Sequence, residues 1–180
     1  MAEAAGNYNS IEIRKALHSQ AVRVWMVTLC VVAVWVFTIV APPFLIKAGI
    51  SASPIYTFFS YICHQIPERS FHILEHQFAV CSRCFGVYFG LLAAIATYPF
   101  WRSIDDIEPL PRFWLFFSLV PIGIDWSLGV FGIWDNTHLS RFITGLILGV
   151  ACAVYIVPAL VEIVRNLSKR DAFRRSAPHR

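Results

Sequence analysis

Polar and apolar residues in this chain fall into long blocks instead of alternating along short elements. From Val24 to Ile46 there is no charged residue, only Thr28, Thr38 and the Pro42-Pro43 pair among apolar side chains. At a rise of 1.5 Å per residue, a helix of that length crosses a hydrocarbon layer of about 30 Å. The prolines are expected to end or kink it near the far interface. The block exceeds a signal-peptide core and follows a long leader, so a retained helix is expected. Three further apolar blocks run over Phe85–Trp101, Phe113–Trp134 and Phe142–Val164. The Ile50–Ile62 stretch is apolar but too short to cross alone, which predicts a re-entrant or interfacial helix. The pattern as a whole predicts an all-α protein, an integral membrane bundle of about four transmembrane helices plus that short helix. It divides into a polar N-terminal segment 1–23, a transmembrane domain 24–164 and a basic tail 165–180.

Two residue patterns refine the spans. Trp114 and Trp134 bracket the third block, about 30 Å apart on a helix, as rings at two membrane interfaces would be. Gly145, Gly149 and Ala153 recur every four residues along the fourth block. Small residues on one helix face allow close backbone approach, and here they offer a surface for a homo- or hetero-oligomer.

Composition supports the membrane reading: 57% of residues are hydrophobic and 14% charged, against about 25% charged in soluble chains. The distribution of charge sets an orientation. With four spans, residues 1–23, the 102–112 loop and the tail share one side and hold eleven Lys and Arg; the other side holds Lys47, Arg69, Arg83 and Arg141. The positive excess marks the cytoplasmic side. Both termini are therefore expected in the cytoplasm, with residues 47–84 facing outward from the cell membrane. Were Ile50–Ile62 to span, residues 1–46 would reverse. The basic cluster is a short tail, so no nucleic-acid partner is expected; the lipid bilayer is.

The chemistry concentrates between residues 63 and 84. Cys63, His64, His72, His76, Cys81 and Cys84 place three thiols and three imidazoles within 22 residues. The Cys81-x-x-Cys84 spacing lets two sulfurs converge on one ion, and Cys63 with His64 could complete a tetrahedral zinc site. His72 and His76 would share a face if this stretch were helical. The same cysteines support a second reading, thiol–disulfide chemistry. Cys81 and Cys84 sit where a helix N-terminus favours a thiolate, with Arg83 between them. That arrangement is similar in outline to membrane disulfide-forming enzymes that pass electrons to quinone. A structural disulfide with one free thiol is the plain alternative, and a membrane scaffold or assembly subunit a further one. Cys30 and Cys152 lie within apolar blocks as small buried hydrophobes.

Asp125 falls near the middle of the third block, where a carboxylate is costly and demands a partner; Arg141 or Arg83 could reach it. Arg69, Arg83 and Arg141 form a candidate anion-binding group for a phosphate or carboxylate head group. Glu68, beside Arg69, is either a surface charge or an acid–base group near the metal, and with Asp125 it is the candidate for catalysis.

The string Cys63-His64-Gln65-x-x-Glu68-Arg69-Ser70-Phe71, followed by Gln77-x-x-Val80-Cys81-x-Arg83-Cys84-x-Gly86-x-Tyr88-x-Gly90, resembles domain-of-unknown-function family 2085, prokaryotic predicted membrane proteins. Pro121…Asp125 and Asn136…Arg141…Thr144-Gly145 extend the resemblance over about residues 55–150. Trp126 departs from the pattern, where a glycine is expected after the aspartate. The resemblance implies a small multi-span membrane protein and carries no activity with it.

Overall fold

A computed structural model describes residues 2–108 and 110–176. The elements are α1 (Ala2–Lys47), α2 (Ser53–Ser60), a single 3-10 turn (Pro67–Arg69), a hairpin of β1 (His72–Ile73) and β2 (His76–Gln77), then α3 (Ser82–Trp101), α4 (Phe113–Val130) and α5 (His138–Ser176). Among the described residues, four segments are long and apolar enough to cross a membrane: Ile11–Lys47, Ser82–Trp101, Phe113–Val130 and His138–Arg170. The eight-residue α2 is too short to span, which leaves four crossings and not five.

Element boundaries depart from the apolar blocks for local reasons. Cys81 is the extended N-cap of α3, so that helix starts at Ser82 and not Phe85. α4 stops at Val130, and Gly132 just beyond it takes a positive φ of 66° that a bulky residue would resist. α5 starts at His138, four residues before Phe142, and continues through the basic stretch to Ser176. Residues 177–180, with Arg180, lie outside the described residues, as do the side chains of Arg174 and Arg175.

The bundle is organised around α3 and α5. Gly86 and Gly90 on α3 face Gly145 and Gly149 on α5. An added Cβ at each would collide with a backbone carbonyl of the other helix, from Phe142, Leu146, Arg83 and Val87 in turn. The backbones therefore touch directly, as small-residue faces permit. This corrects the oligomer expectation: the face of Gly145 and Gly149 is covered by α3 of the same chain. Ala153 is fully buried in a core with Ala21 of α1 and Ala94, Ile95 and Tyr98 of α3.

α1 is fastened to this pair through carbonyls that prolines leave free. A proline cannot donate to the carbonyl four residues earlier. Pro99 so frees Ile95, whose oxygen accepts from Trp25 Nε1 at 2.7 Å. Pro43 frees Ile39, whose oxygen accepts from the Ala79 N–H at 3.0 Å. The sequence expectation that Pro42-Pro43 end or kink α1 becomes a docking point, because the helix runs on to Lys47. A second core forms there from Ile39, Phe59, Phe78, Ala79, Val80 and Cys63. At the opposite end, Asp105 accepts from Arg165 at 3.1 Å and lies 2.6 Å from His18 Nδ1, joining the 103–112 loop to α5 and α1.

The glycine contact gives a direct test. Gly149→Ala places a methyl against the Val87 carbonyl, whereas Gly123 of α4 has open space around it. Gly149→Ala is expected to destabilise by about 1–3 kcal/mol, typical of overpacking. Gly123→Ala should leave stability unchanged or slightly raised. Thermal unfolding midpoints of the two variants in the same detergent check this.

Candidate metal centre and anion cleft

The cysteine end of the bundle is assembled by local constraints that converge. Cys81 caps α3 and Cys84 lies three residues on, so both sulfurs project to the same side of the first turn. Cys63 follows α2, its N–H bonded to the Phe59 carbonyl at 2.9 Å. Gln65 then reverses the chain with a φ of 49°, and its Nε2 donates to the carbonyls of Tyr56 (2.8 Å) and Ala79 (2.7 Å). That one amide ties the loop after α2 to the strand leading into α3. Tyr56 adds a hydroxyl donated to the Gln77 carbonyl at 2.6 Å.

These constraints bring Cys63, Cys81 and Cys84 together, with their three sulfurs all within 4.8 Å of one another. Cys63 is buried and the other two half-buried. The Cys81 N–H donates to the Cys63 sulfur at 3.2 Å. Hydrogen bonds from the Cys63 and Cys84 thiols hold the Cys81 thiol well below the usual thiol range. Three sulfurs around one Zn²⁺ at 2.3 Å would lie about 3.8 Å apart, so the cluster needs only a small contraction to coordinate an ion.

The predicted histidines divide. His64 does not join the sulfur cluster but lines the adjacent cleft from an exposed position. His72 and His76 are not helical. They sit on the hairpin, where His72 pairs with Gln77 and Ile73 with His76, which puts the two imidazoles on opposite faces. Its turn residues Leu74 and Glu75 both adopt positive φ, 53° and 67°, the conformation glycine or asparagine normally supplies.

Beside the sulfurs lies a cleft of about 610 Å³, walled by Cys63, Cys81 and Cys84 on one side and by the end of α4 and the turn after it on the other. Asp125 is buried, 8% exposed. It accepts a charge-assisted hydrogen bond from Arg83, which selects Arg83 over Arg141 as its partner. Asn136 Nδ2 reaches back to the Asp125 carbonyl (2.7 Å) and carboxylate (3.1 Å), and Gly129 leaves room for that amide. Asp125 is closer to the cysteine end than block length suggested, because α4 ends five residues after it.

Arg69, Arg83 and Arg141 all line the cleft, so the expected trio does converge. Among the described residues, the Arg69 and Arg141 side chains make no hydrogen bond or ion pair. Glu68 is exposed on the 3-10 turn and is not among the cleft residues. Trp126 occupies the position where a glycine was expected; its ring is 58% exposed and lines the cleft. Gln65 and Asn136 carry more of the geometry than spacing alone suggested. Both stand in the strings that carry the family resemblance, which was the signal available for them. Ser82 is a further one, fully buried with its hydroxyl 2.9 Å from His138 Nδ1, bridging the first turns of α3 and α5.

The family model described as predicted membrane protein (DUF2085) matches residues 63–155. The chain belongs to this family. An uncharacterized protein of Methanocaldococcus jannaschii is 39% identical over 110 residues, covering 61% of this chain and 70% of the relative. Another, from Methanothermobacter thermautotrophicus, is 36% identical over 111 residues, covering 61% and 92% respectively. No solved structure matches the chain. The DUF2085 match begins at Cys63 and so contains the cysteine cluster, Arg83, Asp125, Asn136 and Arg141 in one stretch. α1 lies outside it.

The Arg83–Asp125 pair is the electrostatic joint between α3 and α4. Removing one partner of a buried pair leaves an uncompensated charge, at a cost of about 3–5 kcal/mol. Asp125→Ala is expected to destabilise by that order, and Arg83→Met with Asp125→Leu to recover most of the loss. A double-mutant cycle on unfolding midpoints in detergent measures the coupling.

Proposed function

We propose that this membrane protein holds a zinc ion on Cys63, Cys81 and Cys84, beside a polar cleft that takes an anionic group. The observation that carries the reading is the mutual approach of the three sulfurs, with an N–H aimed at one of them. Three thiolates meet the preference of Zn²⁺ for sulfur and tetrahedral geometry. His64, on the wall of the same cleft, is the imidazole available to complete the set. Arg69, Arg83 and Arg141 line the same cleft, and their guanidiniums suit a phosphate or carboxylate. The Lys and Arg distribution supports an outward-facing site with both termini in the cytoplasm. A membrane-impermeant maleimide added to intact cells should therefore label Glu75→Cys, at the hairpin tip, above the background of the parent chain. Labelling only after lysis would reverse the orientation.

Elemental analysis of the purified protein tests the metal reading. About one zinc per chain is expected, lost on treatment with a strong chelator. Each of Cys63→Ser, Cys81→Ser and Cys84→Ser should lower zinc content by more than about half, since each removes a ligand. The lowered Cys81 thiol favours one rival, thiol–disulfide exchange linked to quinone. Zinc far below one equivalent, with Cys81 and Cys84 joined in a disulfide, would replace the metal reading by that one.

A further inference from the structure

The cleft beside the cysteines is built for an amphiphile. Three guanidiniums line it, one of them engaged by Asp125, while Arg69 and Arg141 have no side-chain partner among the described residues. Arg83 also keeps a buried Nε without an acceptor. Among the described residues that line the cleft, Asp135 is the one carboxylate; even with Asp125 counted behind Arg83, the arginines outnumber the carboxylates by three to two. Exposed apolar side chains share the lining with these arginines. Ile62, Trp126 and Trp134 line the same opening and are 48%, 58% and 59% exposed. Trp126 lies in the last turns of the α4 span and Trp134 four residues beyond its end, the depth at which indole rings settle between lipid and water. A purely aqueous anion would have no use for exposed apolar residues at the mouth. A lipid carries an anionic head and apolar chains together, and this lining offers a partner for each.

We infer that the cleft binds the phosphate head group of a membrane lipid, gripped by Arg69 and Arg141, with the hydrocarbon chains leaving over Ile62, Trp126 and Trp134. This rests on the reading of the cleft as an anion pocket and is independent of whether zinc is bound. Arginine matches phosphate oxygens in bidentate geometry, and basic pockets between spanning helices are suited to lipid head groups. The chains need no enclosed tunnel, because the mouth opens where the bilayer already is.

The test uses the full chain in a non-ionic detergent, with native mass spectrometry of retained lipid and zinc content measured on the same samples. The probes are dioleoyl phosphatidic acid, dioleoylglycerol with the same chains and no phosphate, and inorganic phosphate as a competitor. Phosphatidic acid should be retained and dioleoylglycerol should not. R69Q with R141Q should weaken phosphatidic acid by at least about tenfold, the loss of one or two charge-assisted contacts, and leave zinc unchanged. Because Arg69 is exposed, R69Q alone keeps the test readable should the double variant not fold. W126A with W134A should weaken the lipid and leave inorganic phosphate binding as it was. Inorganic phosphate binding as tightly as the lipid would overturn the lipid inference and leave the anion pocket standing. Equal retention of dioleoylglycerol would also overturn it, as would arginine variants that lower zinc affinity and leave lipid retention untouched. If neither phosphate probe binds while zinc stays at one per chain, the anion pocket falls with it and the metal reading survives. Lipid bound without zinc would remove the metal reading alone.

Discussion

Direct backbone contact between α3 and α5 is the constraint on which the rest of this structure depends. Gly86 and Gly90 meet Gly145 and Gly149 so closely that no side chain fits between the helices. In a bilayer, helices gain little by hiding apolar surface from lipid, so association has to come from close packing and polar contacts. The contact fixes the first turns of both helices side by side. That places the cysteine pair and Arg83 of α3 next to His138 and Arg141 of α5 before any loop is considered.

The other helices are attached by polar groups that a membrane makes costly to leave unpaired. Trp25 and the Ala79 N–H each find a carbonyl released by a proline. α4, whose surface is mostly exposed apolar side chains, is joined to α3 by Arg83 and Asp125, and the loop leading into it is joined to α5 by the Tyr155 hydroxyl, which donates to the Pro111 carbonyl. Features that look like interruptions of apolar spans, two prolines and one carboxylate, are thus the points of assembly. The same logic explains why Asn136 turns back on Asp125: one buried carboxylate holds a guanidinium and an amide at once.

The site inherits its asymmetry from this construction. Its sulfur side rests on rigid elements, the start of α3 and a loop held by Gln65. Its opposite wall comes from the end of α4 and the turn after it, which pack less and leave apolar side chains exposed. A firm sulfur cluster beside arginines and exposed apolar residues follows from which elements supply each wall.

Much of the fold was legible in sequence because bilayer thickness imposes a length rule that uncharged blocks reveal directly. Four spans, a short non-spanning helix and membership of the family all follow from that rule and from the cysteine string. The small-residue register of Gly145, Gly149 and Ala153 announced close packing, but a register cannot say which helix will meet it, and α3 of the same chain does. The hairpin at His72–Gln77 was hidden because Leu74 and Glu75 hold a turn normally marked by glycine or asparagine; its strands are held at their base by the Phe78 N–H on the Phe71 carbonyl and the Tyr56 hydroxyl on the Gln77 carbonyl. Sequence by itself determined the membrane class, a count of about four crossings and the residue types gathered near the cysteines; the eight-residue α2 removed the fifth. Only the tertiary structure decided that three sulfurs meet without His64, that Asp125 chooses Arg83, and that Glu68 stays outside. Spacing along a chain limits which groups can approach, whereas the packing of α3 against α5 and the loop docked on Ile39 fix which ones do.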